Sequence, residues 1–260
     1  MFSSLPSAEP RLDALRAEVR KLEAAGRMEG REALPFGVDA IDGRLAGGGL
    51  AVPALHETAG AGPGRADDAA ATLFVAAIAA RRGGGTVLWA MGSRRDLFAP
   101  GLALAGLPPA RLIFAECGRD EDVLAAMEEG LRHGGLAAVV GEIGSAAMAA
   151  TRRLQLAAEE SGTTALMLKR WRRRGEDPLA PPSAAMTRWR IGCAPSAELP
   201  FEGIGRPRWR VELARQRGGE SHHWIMERSD GANSLALPAD LADGSHPASR
   251  ARGKDARRQR

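Results

Sequence analysis

A glycine-rich loop containing Gly60, Gly62 and Gly64 is the stretch whose residue spacing best fits a chemical role. It follows a short apolar segment, Ala54 to Thr58, and precedes a long apolar one, Asp67 to Ala80. Glycines between a strand and a helix allow backbone N–H groups to surround phosphates, and such loops bind ATP when a Lys and a Ser or Thr follow them. The pattern therefore predicts the frame of a nucleotide-binding site.

The groups that would hold a nucleotide are missing from this loop. It contains no Lys, and Arg65 is the only basic residue beside the glycines. Arg65 could touch a phosphate, but it cannot supply the hydroxyl ligand for magnesium. Asp67 and Asp68 at the start of the predicted helix would repel a triphosphate from the positive helix end. We therefore predict a degenerate nucleotide loop and a protein without a cofactor.

Length and composition indicate one sizeable core in a cytoplasmic protein. A chain of 260 residues can bury a single core with short appendages. The two cysteines fit reduced thiols in a cytoplasm, and the apolar runs are shorter than the roughly 20 residues of a membrane span. The formal net charge is +4, but residues 245–260 alone carry +5, with six basic residues against one Asp, so the rest of the chain is close to −1. The net positive charge therefore belongs to the C-terminal tail and does not indicate a basic surface on the folded core.

Short apolar segments alternate with helical ones through the middle of the chain. Besides the strand before the glycine loop, four strands are predicted, at Thr86 to Ala90, Arg111 to Ala115, Ala137 to Val140 and Ala165 to Leu168. The helices between them are Asp96 to Ala105, Glu121 to His133 and Ala146 to Glu160. Continuously apolar strands are typical of a parallel sheet buried on both faces. The alternation predicts a three-layer α/β domain with a mostly parallel central sheet.

The last third of the chain changes to period-two patterning at 188–192 and 208–214. This pattern predicts antiparallel strands with one buried and one solvated face. The arginines are expected to point outward, and the inward positions are Trp189, Ile191, Trp209, Val211 and Leu213. Gly218 and Gly219 form a plausible hairpin turn before a further strand, His222 to Met226.

The two ends of the chain are predicted to lie outside this core, which spans residues 33–228. Residues 1–32 form a helix (Ala8 to Ala25) and a linker, and the helix carries an apolar stripe of Leu12, Leu15, Val19 and Leu22. This stripe packs either on its own domain or on a neighbouring subunit. Residues 229–260 are predicted to form an extended or disordered basic tail.

A strongly basic segment follows the predicted strand that ends at Leu168. Its residues are Lys169, Arg170, Trp171, Arg172, Arg173 and Arg174. Arginines around an exposed aromatic suit single-stranded DNA, because the charges follow the backbone and the ring stacks on a base. An acidic protein partner is a second interpretation. In the third, Trp171 belongs to the core and the arginines only solvate the end of a strand.

The order of these elements resembles the RecA recombinase core and, most closely, the ImuA family of RecA/SulA-like accessory proteins in bacterial inducible mutagenesis. The resemblance covers roughly Leu34 to Arg228. It rests on VDAIDGRLAGGGL before the first core strand, on LFAPGLALAGLPPARLIFAECGRDEDVLAAMEEGLRHGGLAAVV, and on WRVELARQRGGESHHWIMER. It implies a RecA-like three-layer sandwich.

The resemblance also implies that three groups of the RecA nucleotide site have been lost. The P-loop Lys and Thr have no counterpart, and Gly92 stands near the acid that activates the attacking water in RecA. Gly141 stands where an Asp should bind magnesium. Glu142 is adjacent, but successive strand residues point to opposite faces, so we expect it to be a poor substitute. Because phosphoryl transfer depends on these groups, we expect no enzymatic activity.

The function implied by the resemblance is that of a non-catalytic accessory protein in DNA-damage-induced translesion synthesis, part of the SOS response. The implied partners are an ImuB-like Y-family polymerase homologue, an error-prone replicative-type polymerase and RecA, with the N-terminal stripe contacting RecA or another copy of the chain. Direct contact with single-stranded DNA stays open. Two alternatives are a SulA-like inhibitor of cell division and a divergent RecA-type ATPase.

Overall fold

The computed structural model describes residues 32–92, 96–196, 203, 205–228 and 235–236. The predicted N-terminal helix and most of the basic tail lie outside these described residues. The strands are β1 Glu32–Leu34, β2 Leu50–Val52, β3 Leu55–Gly60, β4 Val87–Met91, β5 Leu112–Glu116, β6 Ala138–Ile143, β7 Thr164–Lys169, β8 Thr187–Ala194, β9 Arg208–Gln216, β10 His222–Arg228 and β11 Leu235–Ala236. The helices are α1 Asp39–Asp42, α2 Arg65–Ala80, α3 Ala99–Leu104, α4 Asp120–His133 and α5 Met148–Ser161, with a 3-10 turn at Pro109–Arg111.

Nine strands form one mixed sheet in the order β11-β10-β9-β8-β3-β7-β6-β4-β5. Neighbouring strands are parallel from β8 to β5 and antiparallel from β8 to β11. The short strands β1 and β2 pair separately and antiparallel. The predicted α/β class is confirmed, with a mostly parallel central sheet and an antiparallel C-terminal extension.

Helices cover both faces of the parallel part of the sheet. On one face α2 and α3 cover a core in which Phe36, Phe74 and Trp189 pack with ring centroids 5.5–5.9 Å apart. On the other face α4 and α5 cover a second core that includes Met127 and Leu154. These three layers form a RecA-like sandwich, as predicted. No helix in the described part of the chain combines the length and the apolar character that a membrane crossing requires.

The predicted burial of every parallel strand on both faces is wrong for β5. This strand is at the edge of the sheet, beyond β4, and it exposes Ile113 by 53% and Phe114 by 45%. In the C-terminal extension, the five apolar residues predicted to point inward are all buried. The turn between β9 and β10 contains Gly218 with φ of +79°, a left-handed conformation that favours glycine.

Candidate functional site

The glycine loop joins β3 to α2, as the sequence predicts. β3 ends at Gly60 and α2 begins at Arg65, whose side chain is exposed. The loop is tied to the sheet, because the Ala61 N–H donates to the Ile191 carbonyl at 2.8 Å. The indole N–H of Trp171 donates to the Gly60 carbonyl at 2.8 Å. The loop is thus held from two sides by residues of this chain.

The carboxylate of Asp67 lies against the glycine loop. Its Oδ1 accepts the backbone N–H of Cys193 at 2.8 Å. Its Oδ2 is 3.3 Å from the position that a Cβ atom on Gly62 would take. A fixed negative charge in contact with the loop opposes the binding of phosphate at the start of α2.

Glu142 and Gly141 lie on opposite faces of the sheet, as the alternation predicts, and it is Glu142 that faces the helix after the glycine loop. Its carboxylate is on the sheet face covered by α2, where it accepts the indole N–H of Trp89 at 2.7 Å. Gly141 faces the opposite side, because a Cβ atom there would lie 2.1 Å from Sδ of Met127 in α4. The residue that faces the loop helix is therefore Glu142, one position after the residue aligned with the magnesium-binding Asp of RecA.

Glu142 is buried and already neutralised by Arg170. The Arg170 guanidinium donates to Oε2 of Glu142 from Nε at 2.9 Å and from Nη2 at 2.7 Å. Its third contact is from Nη1 to the Asp68 carbonyl in the first turn of α2, at 3.1 Å. Both carboxylate oxygens and the guanidinium are thus engaged within the chain. The residues present do not fit a magnesium nucleotide, and the described residues hold no group of His, Cys, Asp or Glu that could bind a metal.

Substitution of Gly141 tests the assignment of strand faces. We expect Gly141→Ala to reduce the free energy of unfolding by about 1–3 kcal/mol, because the new methyl group would overlap Met127. Gly92→Ala is the matched control at the end of the neighbouring strand, where a Cβ atom meets nothing within 4 Å. Urea unfolding followed by tryptophan fluorescence measures both. If the two variants were equally stable, Gly141 would not face Met127 and the assignment of strand faces would be contradicted.

A second buried charge cluster is centred on Glu57 in β3. Its Oε1 is 3.1 Å from Nζ of Lys169 and accepts the Ser183 hydroxyl at 2.6 Å, while Oε2 accepts Nε of Arg188 at 2.7 Å. All four side chains are buried. Burial lowers the pKa of the Lys169 ammonium from its usual value, and the Glu57 carboxylate opposes that shift. The prediction that the strand arginines point outward is therefore wrong for Arg188.

The basic segment divides into buried and exposed residues. Lys169 and Arg170 are buried and paired, so the prediction that they contact DNA or a partner is corrected: the end of β7 lies in the core. Trp171 is half-buried against the glycine loop. The exposed Arg172 and Arg173 form ion pairs with Asp120 at 2.6 Å and Glu176 at 3.2 Å, and Arg174 has no ion-pair partner among the described residues.

An open cleft of about 1140 Å³ lies at the carboxyl ends of four parallel strands, β4 to β7. Its lining includes Gly92, Gly118 and Gly144, and Glu142 and Arg170 also face it. Carboxyl ends of strands are where open α/β sheets bind ligands. In this cleft the buried acid and base neutralise each other, so neither is available for acid–base chemistry.

The fold and the site define a RecA-type α/β protein whose nucleotide loop is held by its own side chains and whose strand-end acid is paired internally. The chain is similar to Protein ImuA of Caulobacter vibrioides strains NA1000 and CB 15, with 40% identity over 231 residues in each case. The match covers 84% of this chain and 94% of each relative. No protein-family model matches the sequence. The chain belongs to the ImuA family.

Proposed function

We propose that this protein is a non-catalytic, RecA-like accessory protein of DNA-damage-induced translesion synthesis and that it acts by binding. Membership of the ImuA family supports a role in inducible mutagenesis and gives no support to the SulA-like alternative. The observation that carries the non-catalytic part is the buried Glu142–Arg170 pair, which engages the carboxylate near the end of strand β6. This pairing supports the proposal, because it occupies a carboxylate that could otherwise serve as a magnesium ligand.

The proposed partners are those that the family resemblance implies: an ImuB-like Y-family polymerase homologue, an error-prone replicative-type polymerase and RecA. We assign the contact with RecA, or with a second copy of the chain, to the apolar stripe of Leu12, Leu15, Val19 and Leu22, which lies outside the described residues. The proposed compartment is the cytoplasm, where the DNA and these partners are found.

The exposed half of the basic segment is the proposed contact for the polymerase homologue or for single-stranded DNA. Arg172, Arg173 and Arg174 are all exposed around Trp171, whereas Lys169 is withdrawn into the core. The surviving patch is therefore smaller than the sequence suggested. Arg174 has no ion-pair partner among the described residues. Arg172 and Arg173 would exchange their exposed ion pairs with Asp120 and Glu176 for contacts with phosphates or carboxylates.

We expect replacement of Arg172, Arg173 and Arg174 with Ala to weaken one of these contacts about tenfold, since three exposed charges are worth about 0.5 kcal/mol each. The purified chain, immobilised by a tag, is titrated with the polymerase homologue and, separately, with a single-stranded oligonucleotide. Arg44→Ala, an exposed arginine in the turn after α1, is the control. A chain that binds neither ligand would contradict the proposed function. Unchanged affinities in the triple variant would show that the three arginines do not contribute to binding.

A further inference from the structure

An apolar surface lies on the face of the sheet covered by α2 and α3, and the charged residues Glu32, Arg81 and Arg82 border it where the described chain begins. The thirteen residues from Phe98 to Ala110, which include α3, contain no polar or charged side chain. Phe98 is 69% exposed, and Phe114 of the edge strand β5, on the same face of the sheet, is 45% exposed. Large aromatic side chains this exposed on an apolar surface are typical of an interaction site.

The apolar surface continues across α2 toward β1, where Arg81 borders it. Leu73 and Ala77 are one helical turn apart and lie on the same side of α2. Leu73 is 3.7 Å from the position that a Cβ atom on Gly101 of α3 would take, and Phe98 is 3.3 Å from the same position. At the other end, Ala77 lines a small apolar notch with Leu34 of β1. We call the surface formed by Leu73, Ala77, Phe98 and Phe114 the α2–α3 patch.

The size of the α2–α3 patch argues for a short segment as its occupant. Phe98 and Phe114 together expose about 200 Å² of apolar surface, judged from the area of a Phe side chain. A stable dimer buries roughly 800 Å² on each partner. The patch is therefore too small to hold two folded domains together, but its size fits one face of a single helix.

The chain carries such a segment next to the patch. Glu32, the first described residue, lies 3.8 Å from Arg82 just beyond the end of α2. Arg111, the residue before β5, donates from Nη1 to the Ala80 carbonyl of α2 at 2.9 Å, so the chain entry and the base of the edge strand are close. Residues 26–31 can span about 20 Å, which is enough to bring the stripe of residues 8–25 over the patch.

We propose that the chain's own residues 8–25 dock on the α2–α3 patch through their apolar stripe, as an intramolecular cover. The tether gives the segment an effective concentration in the millimolar range, which favours its own patch over that of another molecule. The proposal goes beyond the proposed function, because the stripe must leave this patch before it can contact RecA or a second copy. A partner that binds the stripe would therefore also expose the α2–α3 patch.

Cysteine cross-linking in the full-length protein tests the proposal. In a Cys117→Ser/Cys193→Ser background, Arg16→Cys beside the stripe is combined with Ala99→Cys, or with Ala103→Cys as a second acceptor, and treated with a short bismaleimide. Both alanines are exposed on α3, and the apolar residues of stripe and patch stay intact. The control acceptor is Leu156→Cys, an exposed leucine on α5 on the opposite side of the sheet. We expect cross-links at the monomer mass, independent of protein concentration and formed about tenfold faster than in the control. Cross-links at the dimer mass, or equal rates for patch and control acceptors, would overturn the proposal.

Discussion

Glu57→Gln is expected to reduce the free energy of unfolding by about 3–5 kcal/mol, because it leaves Lys169 and Arg188 buried without a counter-charge. The loss is a large part of the roughly 5–15 kcal/mol that stabilises a typical domain. The amide can still accept the Ser183 hydroxyl, so the effect isolates the charge. Urea unfolding followed by tryptophan fluorescence measures it, since Trp89 and Trp189 are fully buried in the core.

Glu176→Gln is the matched control for this prediction. Glu176 and Arg173 form an ion pair in which both side chains are mostly exposed, and such pairs are worth less than about 1 kcal/mol. The triple variant Glu57→Gln/Lys169→Met/Arg188→Met removes the stranded cations and is expected to recover part of the loss. If Glu57→Gln and Glu176→Gln have the same stability, the buried cluster does not support the sheet.

Arg170→Met is expected to have an effect of similar size at the glycine loop. It leaves the Glu142 carboxylate buried with only the indole N–H of Trp89. It also removes the guanidinium donor from the Asp68 carbonyl, which still accepts the Thr72 hydroxyl at 2.8 Å. Loss of one partner of a buried ion pair costs about 3–5 kcal/mol. The free energy of unfolding from urea titration provides the test.

The double variant Arg170→Met/Glu142→Gln shows whether the stranded charge is the cause. We expect it to be more stable than Arg170→Met alone, because the glutamine carries no charge into the core. A double variant no more stable than the single one would mean that Arg170 acts through packing and not through its charge. A single variant within 1 kcal/mol of the parent would contradict the assigned role of the pair.

The elements of the core could be predicted from the sequence because their patterns are local. The glycine spacing at Gly60 to Gly64 located the loop, and short apolar runs located the parallel strands. The edge position of β5 could not be predicted, since strand order depends on crossovers that leave no local signal. Exposure of Ile113 and Phe114 follows from that order.

The charged clusters were missed for a different physical reason. Glu57 forms ion pairs with Lys169 and Arg188, which lie 112 and 131 residues further along the chain. Local sequence spacing does not indicate pairs at such separations. A partial signal was present, because Glu57 lies inside a strand predicted to be buried, and buried charges are paired. Glu142 was missed because one residue of strand phase decides which face it points to.

Charged groups around the glycine loop and the strand ends are engaged by contacts within the chain. In this chain Arg170 takes up the negative charge of Glu142, and Asp67 lies against the glycine loop. These contacts stabilise the strand ends and the loop from within. A frame stabilised in this way can keep its shape as a binding surface.

Titration of the purified full-length protein with ATP and magnesium tests the central proposal most directly. Turnover and the thermal unfolding midpoint are measured together, because a bound nucleotide would stabilise the fold by about 2.7 kcal/mol at one hundred times its Kd. We predict phosphate release no faster than in a buffer control and an unchanged midpoint. Magnesium-dependent ATP hydrolysis with a raised midpoint, both lost in Arg65→Ala, would contradict a non-catalytic RecA-like protein.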